Sequence, residues 1–120
     1  MHELSLAQNI VDTIQHYVPQ LDWEHVTAVR LKVGACSGIM ADSLEFSFQV
    51  ITAHTPLRTA KLEIETVPFR IQCLKCSNVN ESDIGDRTCT TCGTKDTKII
   101  SGTDLHITEI EVEESKVQQP

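Results

Sequence analysis

Aromatic side chains are scarce in this chain of 120 residues, at 4% of its composition. A core with so few large rings rests on Val, Ile, Leu and Ala, which limits the apolar area that folding can bury. The length allows one compact domain but not two of full size. A metal ion that ties part of the chain together would compensate for the small core.

Positive charge is also in short supply. Lys and Arg number 10 against 17 Asp and Glu, which gives a net charge of −7. Nucleic acids and anionic membranes are bound through clustered Lys and Arg that neutralise phosphate groups. The composition therefore argues against nucleic acid and membrane as partners, and it favours proteins or cations.

Long apolar runs are absent as well. No segment approaches the roughly 20 apolar residues of a membrane-spanning helix. The start, MHELSLAQNIVDTI, lacks the basic residues and apolar block of a secretory signal. Five cysteines without such a signal indicate a reducing compartment, where paired Cys-x-x-Cys motifs serve metal or redox chemistry more often than disulfides. We therefore expect a cytoplasmic protein.

Two stretches have the apolar spacing of amphipathic helices. The first runs from about position 3 or 5 to position 18, with Ser5 and Gln8 spaced as a capping box and Pro19 after its end. The second follows Asp42, which with Glu45 offers another capping pair. Each helix would present one apolar face to a core.

Alternating apolar residues predict two strands, around 28–33 and 61–65, and the segment IISGTDLHITEIEVEE predicts a third. Between the second and third, residues 69–98 lose this periodicity, accumulate polar turn formers and contain four of the five cysteines. We predict an α+β fold in which a small sheet of about three strands is covered by two helices, with an inserted four-cysteine zinc-binding loop domain. The predicted domains are 1–68 plus 99–120, and 69–98.

The cysteines of this segment form two pairs, Cys73 with Cys76 and Cys89 with Cys92, separated by twelve residues. A gap of two residues within a pair lets a tight turn aim both sulfurs at one ion. Two such turns facing each other supply the tetrahedron of thiolates that is typical of structural zinc. We therefore predict Zn(II) held by all four.

The residues that follow each pair support these turns. Ser77 follows the first pair and Gly93 the second, and both suit a turn that requires unusual backbone angles or a small side chain. Because four thiolates fill the coordination shell of zinc, no position is left for water or substrate, and the predicted site is structural rather than catalytic.

Two other uses of the same cysteines have to be weighed. A pair of redox dithiols would need each pair near a reactive helix N-terminus, and neither pair lies in such a pattern. Iron in a rubredoxin-like site uses the same ligands, but the loop lacks the aromatic residues that usually shield one. Zinc is the preferred interpretation.

The second residue is the other chemical feature. The free α-amine of Met1, the backbone amide and imidazole of His2, and the amide of Glu3 can together offer nitrogen ligands to one metal ion. Nitrogen ligands in a square plane suit Ni(II) or Cu(II). Any chain that begins Met-His has this capacity, and the plain interpretation is a solvated helix start.

Four elements in order then resemble one family. They are MHELSLAQ at the start, a Cys-x-x-Cys pair near position 73, a second pair twelve residues later and the closing ITEIEVEE. Together they are similar to the HypA family, the nickel metallochaperones of hydrogenase maturation, of which HybF is a close relative. The similarity spans nearly the whole chain.

The resemblance implies a nickel-binding α+β domain with an attached zinc domain. Nickel would be held through His2 and neighbouring backbone nitrogens, with Glu3 beside it, and zinc by the four cysteines. The implied task is delivery of Ni(II) to the large subunit of [NiFe]-hydrogenase together with the GTPase HypB, and some relatives also serve urease. No histidine flanks either cysteine pair, so a mixed Cys/His zinc shell is not expected here.

No catalytic set is recognisable in the sequence, so we do not expect an enzyme. Cys36 is interpreted as a small buried or half-buried residue, and Trp23 as a packing residue at a strand entry. The alternative to nickel delivery is a zinc-stabilised protein-interaction module without a second metal. A redox protein that uses the cysteine pairs is the third class.

Overall fold

The computed structural model describes residues 2–82 and 84–113, and the side chain of His2 lies outside this description. Its two long helices are α1 (His2–Tyr17) and α2 (Ala41–Thr52), with short 3-10 helices at Gln20–His25 and Pro56–Thr59. The six strands are β1 (Val26–Gly34), β2 (Lys61–Val67), β3 (Phe69–Cys73), β4 (Val79–Ser82), β5 (Thr97–Ser101) and β6 (Leu105–Val112).

The strands form two separate three-stranded sheets, ordered β2-β1-β6 and β4-β3-β5. The predicted α+β class, with a small sheet and two helices, is confirmed. Two strands of the second sheet, β3 and β4, lie within the segment interpreted as a loop domain, where sequence periodicity gave no indication of them. The predicted third strand is in fact two strands, since β5 and β6 belong to different sheets.

The chain is organised in two compact units. The helical unit comprises residues 1–31, 40–64 and 107–120, and the cysteine unit comprises residues 32–39 and 65–106. Functional domains at 1–68 plus 99–120 and at 69–98 stay a prediction.

Apolar residues at helical spacing form the core of the helical unit. On α1 the buried residues include Ile10 and Ile14, and on α2 they include Leu44 and Phe48. Trp23 is also buried, with its indole N–H donating to the Val18 carbonyl at 3.0 Å. Because this donor is satisfied inside the protein, Trp23 is the predicted packing residue rather than an exposed recognition site.

Both predicted capping pairs are wrong. Helix α1 already begins at His2, so Ser5 lies within it. Helix α2 begins at Ala41 with Met40 as its N-cap, and no side chain of that cap forms a hydrogen bond. The Met40 N–H instead donates to a carboxylate oxygen of Glu3, at 3.5 Å.

The cysteine unit contains a close crossing of backbones at Gly102. Its φ is +98°, and a Cβ there would lie 2.4 Å from the Cα of Phe69. The Gly102 carbonyl accepts the N–H of Cys36 at 2.8 Å, so the crossing also holds the loop after β1. Only a residue without a side chain fits this position.

Replacing Gly102 with Ala should destabilise the protein far more than the same change at Gly38. Both glycines have positive φ, which costs a non-glycine residue roughly 1–2 kcal/mol. A Cβ at Gly38 meets nothing within 4 Å, so only Gly102→Ala adds an overlap with backbone atoms. We expect Gly102→Ala to lower the free energy of unfolding by about 2 kcal/mol or more beyond the loss in the Gly38→Ala control. Urea unfolding measures both free energies. Equal losses of unfolding free energy in the two variants would contradict the close backbone contact at Gly102.

Candidate metal centre

Two similar turns position the four cysteines. Cys73 is the last residue of β3 and Cys76 lies in the turn after it, while the second pair lies between β4 and β5. The N–H of Ser77 donates to the Cys73 carbonyl at 3.0 Å, and that of Gly93 donates to the Cys89 carbonyl at 2.8 Å. Ser77 and Gly93 have φ of 67° and 74°, which confirms the unusual backbone angles predicted at both positions.

Strand pairing fixes where these turns lie. In β3, Cys73 is opposite Thr97 of β5, and Gln72 is opposite Val79 of β4, both antiparallel. The Cys73 N–H donates to the Asn78 carbonyl at 2.9 Å, which closes the first turn against β4. The sheet therefore supplies a rigid base for the first cysteine pair.

The four sulfurs converge on one point. Cys73 Sγ lies 3.5 Å from Cys92 Sγ, and Cys76 Sγ lies 3.6 Å from Cys89 Sγ. All four lie within 4.8 Å of one another. A disulfide requires about 2.0 Å, whereas sulfurs around one zinc at about 2.3 Å stand roughly 3.8 Å apart in a tetrahedron. The spacing fits one shared metal ion.

Backbone amides favour the thiolate form of the first cysteine of each pair. The N–H groups of Cys76 and Lys75 donate to Cys73 Sγ at 3.3 Å and 3.4 Å. The bond from Cys76 is the largest cause that lowers the pKa of Cys73, against desolvation. The bond from the Cys92 N–H likewise lowers the pKa of Cys89, to about 6. Such bonds stabilise charge on sulfur.

The other two thiols resist losing their protons. The Asn78 N–H lowers the pKa of Cys76, but hydrogen bonding with Cys73 and desolvation raise it, to about 12. The Thr94 N–H is the largest single influence on Cys92 and lowers its pKa, but the hydrogen bonds with Cys73 and Cys89 and desolvation together raise that pKa above its ordinary value. Four negative sulfurs at this spacing repel one another, and a divalent cation would remove that repulsion.

The four cysteines of the cluster differ in solvent exposure. Cys73 and Cys89 are buried, at 1% exposure each, whereas Cys76 and Cys92 lie nearer the surface. Cys36 is half-buried, as predicted, and is not part of the cluster. Among the residues that the structure describes, no other group of three or more Cys, His, Asp or Glu ligand atoms has metal-binding spacing.

Side chains outside the cysteines brace the second turn, and sequence reasoning missed them. Asn80 Nδ2 donates to Cys89 Sγ at 3.7 Å, and its Oδ1 accepts the Thr90 N–H at 3.2 Å and the Thr90 hydroxyl. Asn78 Nδ2 donates to Thr91 Oγ1 at 2.8 Å. Only their position in SNVNES, next to the first pair, could have drawn attention to them. Such bonds orient metal ligands.

The predicted nickel site lies largely outside the described residues, so its ligands stay a prediction. Met1 and the side chain of His2 lie outside the description. Glu3 lies in the first turn of α1, with its carboxylate near Met40. The first N–H groups of a helix have no partner within it, so the amides of His2 and Glu3 carry no obligatory helical bond.

Comparison with known proteins finds one family along nearly the whole chain. A family model described as hydrogenase/urease nickel incorporation, metallochaperone, HypA, matches residues 1–112. The hydrogenase maturation factor HypA of Syntrophus aciditrophicus is 35% identical over 114 residues, which cover 94% of this chain and 100% of that protein. The factor of the same name from Chloroflexus aggregans is 38% identical over 112 residues, covering 92% and 98%.

Solved structures share the fold. The solution structure of the nickel metallochaperone HypA from Helicobacter pylori has a TM-score of 0.66 at 17% identity, covering 94% of this chain and 98% of that one. No described helix is both long and apolar enough to cross a bilayer. From the family match along residues 1–112 and the converging cysteines, we conclude that this chain belongs to the HypA family of nickel-incorporation metallochaperones of hydrogenase maturation.

Proposed function

We propose that this protein binds Ni(II) at its first residues and delivers it to the large subunit of [NiFe]-hydrogenase, while Zn(II) stays in the cysteine cluster. The observation that carries the proposal is the convergence of all four cysteines on one point. A closed set of four sulfurs leaves no open position for a cargo that has to be handed over. The cargo therefore needs a second site, and family membership makes that cargo nickel.

Zinc is proposed for the cluster because its geometric demands match the spacing of the sulfurs. A tetrahedron of four thiolates is the usual structural zinc site. Zinc has no redox chemistry, so electron donors would not change its charge, and it would hold the two turns together in their presence. Thiolate ligands need reduced cysteines, which supports a cytoplasmic location.

Nickel is proposed for the chain start because of the ligands found there. The α-amine of Met1, the amide and imidazole of His2 and the amide of Glu3 supply nitrogen donors that suit Ni(II) in a square plane. Protons leave the amides as nickel enters, so the affinity should fall as the pH falls. Nitrogen ligands that dissociate one at a time would permit transfer by stepwise ligand exchange.

The proposed role requires partners rather than catalysis. We propose that a HypB-type GTPase and the hydrogenase large subunit act with this protein, and that urease maturation proteins are the alternative partners if urease is the client. The family consists of maturation factors, and no set of catalytic groups is recognisable in the sequence, so we assign no enzymatic activity.

Replacing Cys73 with Ser should abolish tight zinc binding and destabilise the cysteine unit. Loss of one thiolate opens the shell, and structural zinc contributes on the order of 10 kcal/mol to folding in zinc-finger peptides. Metal analysis of the purified protein should give about one zinc per chain in the parent and in Cys36→Ser, which changes the cysteine outside the cluster. Four thiols that react without releasing zinc would exclude a closed site.

Replacing His2 with Ala in untagged protein should abolish nickel binding. The imidazole contributes one chelate ring, and the remaining donors cannot complete a stable nitrogen plane. His16→Ala is the matched control, because His16 is exposed in the last turn of the same helix. Calorimetric titration of the parent and the control should give about one nickel per chain.

Two features of the nickel titration decide between functions. An N-terminal tag displaces the free amine and would confound the titration, so the protein is used untagged. If His2→Ala binds nickel as well as the parent, the N-terminal site is wrong. If the parent binds none, the protein is a zinc-stabilised interaction module instead.

Deletion of this protein from its host should lower hydrogenase activity, and excess nickel in the medium should restore it. Rescue is expected because a delivery protein supplies an ion that high concentrations can replace by mass action. Hydrogenase activity in cell extracts measures this, and urease activity in the same extracts tests the second client. A loss that nickel does not restore would contradict a role in supply.

A further inference from the structure

The negative charge of this protein is concentrated in one of its two units. The helical unit contains eleven Asp and Glu against four Lys and Arg, whereas the cysteine unit contains six of each. The whole net charge of −7 therefore belongs to the helical unit. Any protein that approaches this unit with acidic groups meets repulsion over most of its surface.

One of the four cations is already neutralised. The Arg30 guanidinium lies 2.9 Å from Glu63, 3.2 Å from Glu109 and 3.4 Å from Glu111. These carboxylates raise the pKa of Arg30 against the effect of desolvation. Three acids around one base leave this part of the sheet surface acidic. A second cation, Lys116, lies outside the described residues.

The other two cations line a single cleft. Arg58, in the second 3-10 helix, and Lys61, the first residue of β2, are both exposed. They line an open cleft of about 940 Å³ together with Gln49 of α2 and Ala53, which follows that helix. The ion pairs found among residues 2–82 and 84–113 involve Arg30, Arg70 and His106, and none involves Arg58 or Lys61.

The walls of the cleft are partly apolar. Its floor is formed by buried residues that include Phe48 and Leu62, and Ala53 and Ala60 line its sides. The aliphatic stems of Arg58 and Lys61 add apolar surface below their charged ends. The cleft therefore combines an apolar floor with two positive charges that have no ion-pair partner in the part of the chain that the structure describes.

We propose that this cleft binds an acidic segment of a partner protein, one in which carboxylate side chains accompany small apolar ones. Charge complementarity selects this occupant, because the helical unit repels acidic groups except where Arg58 and Lys61 stand unpaired. Glu45 also lines the cleft and disfavours carboxylates in its vicinity.

This docking surface does not depend on where nickel binds. Arg58 and Lys61 are not among the proposed nickel or zinc ligands, so changing them should leave both metal stoichiometries unchanged. Failure of the docking proposal and failure of the nickel proposal are thus separate results.

The test is a titration of the full-length, isotope-labelled protein with a short peptide that repeats Glu-Leu-Glu-Ala, followed by amide chemical shifts. Shifts should be confined to the cleft, including Gln49, Ala53 and Arg58. Binding should weaken about tenfold or more in Arg58→Glu/Lys61→Glu, because two attractions become repulsions. Added salt should weaken binding to the parent.

A matched charge control separates the cleft from overall charge. Lys32→Glu/Lys98→Glu makes the same change in net charge at two exposed lysines of the cysteine unit, and it should retain binding within about twofold. Equal weakening in both double variants would overturn the proposal. It would also be overturned if a Lys-Leu-Lys-Ala peptide shifted the same amides, or if inorganic phosphate displaced the acidic peptide at equal concentration, which would indicate an anion site only.

Discussion

Four cysteine sulfurs within 4.8 Å of one another form the constraint on which the cysteine unit depends. Backbone N–H groups stabilise negative charge on Cys73 and Cys89, and the other two thiols keep their protons because they hydrogen-bond to neighbouring sulfurs and are desolvated. A divalent cation bound by the four sulfurs would stabilise the thiolate form of each. It would give two turns and three short strands a common anchor in a protein that has few aromatic residues to bury.

The closed cysteine cluster also implies that a retained metal and a cargo metal need different kinds of site. A site of four sulfurs is suited to retention, because every position around the ion is filled. A cargo ion needs the opposite, a site whose ligands can leave one by one. The family match requires nickel handling, so the proposed open site at the chain start complements the closed cluster. The fold would thus keep one metal and release another.

The sequence allowed prediction of those parts of the architecture in which local structure depends on the residue itself and its neighbours along the chain. The periodicity of α1 and β1 and the positive φ at Ser77 and Gly93 are local consequences of residue type. The second sheet was missed because β4 (Val79–Ser82) has no apolar alternation and forms through pairing with β3. The predicted Asp42–Glu45 cap is wrong because α2 already begins at Ala41, with Met40 as a cap residue that forms no side-chain cap hydrogen bond.

The account stands on two metals in two different coordination shells of one chain. X-ray absorption spectra at the zinc and nickel edges, recorded on one untagged sample loaded with both ions, test this most directly. Zinc should show about four sulfur neighbours at roughly 2.3 Å, and nickel should show nitrogen or oxygen neighbours alone. Sulfur around nickel, or nitrogen in the zinc shell, would contradict the account.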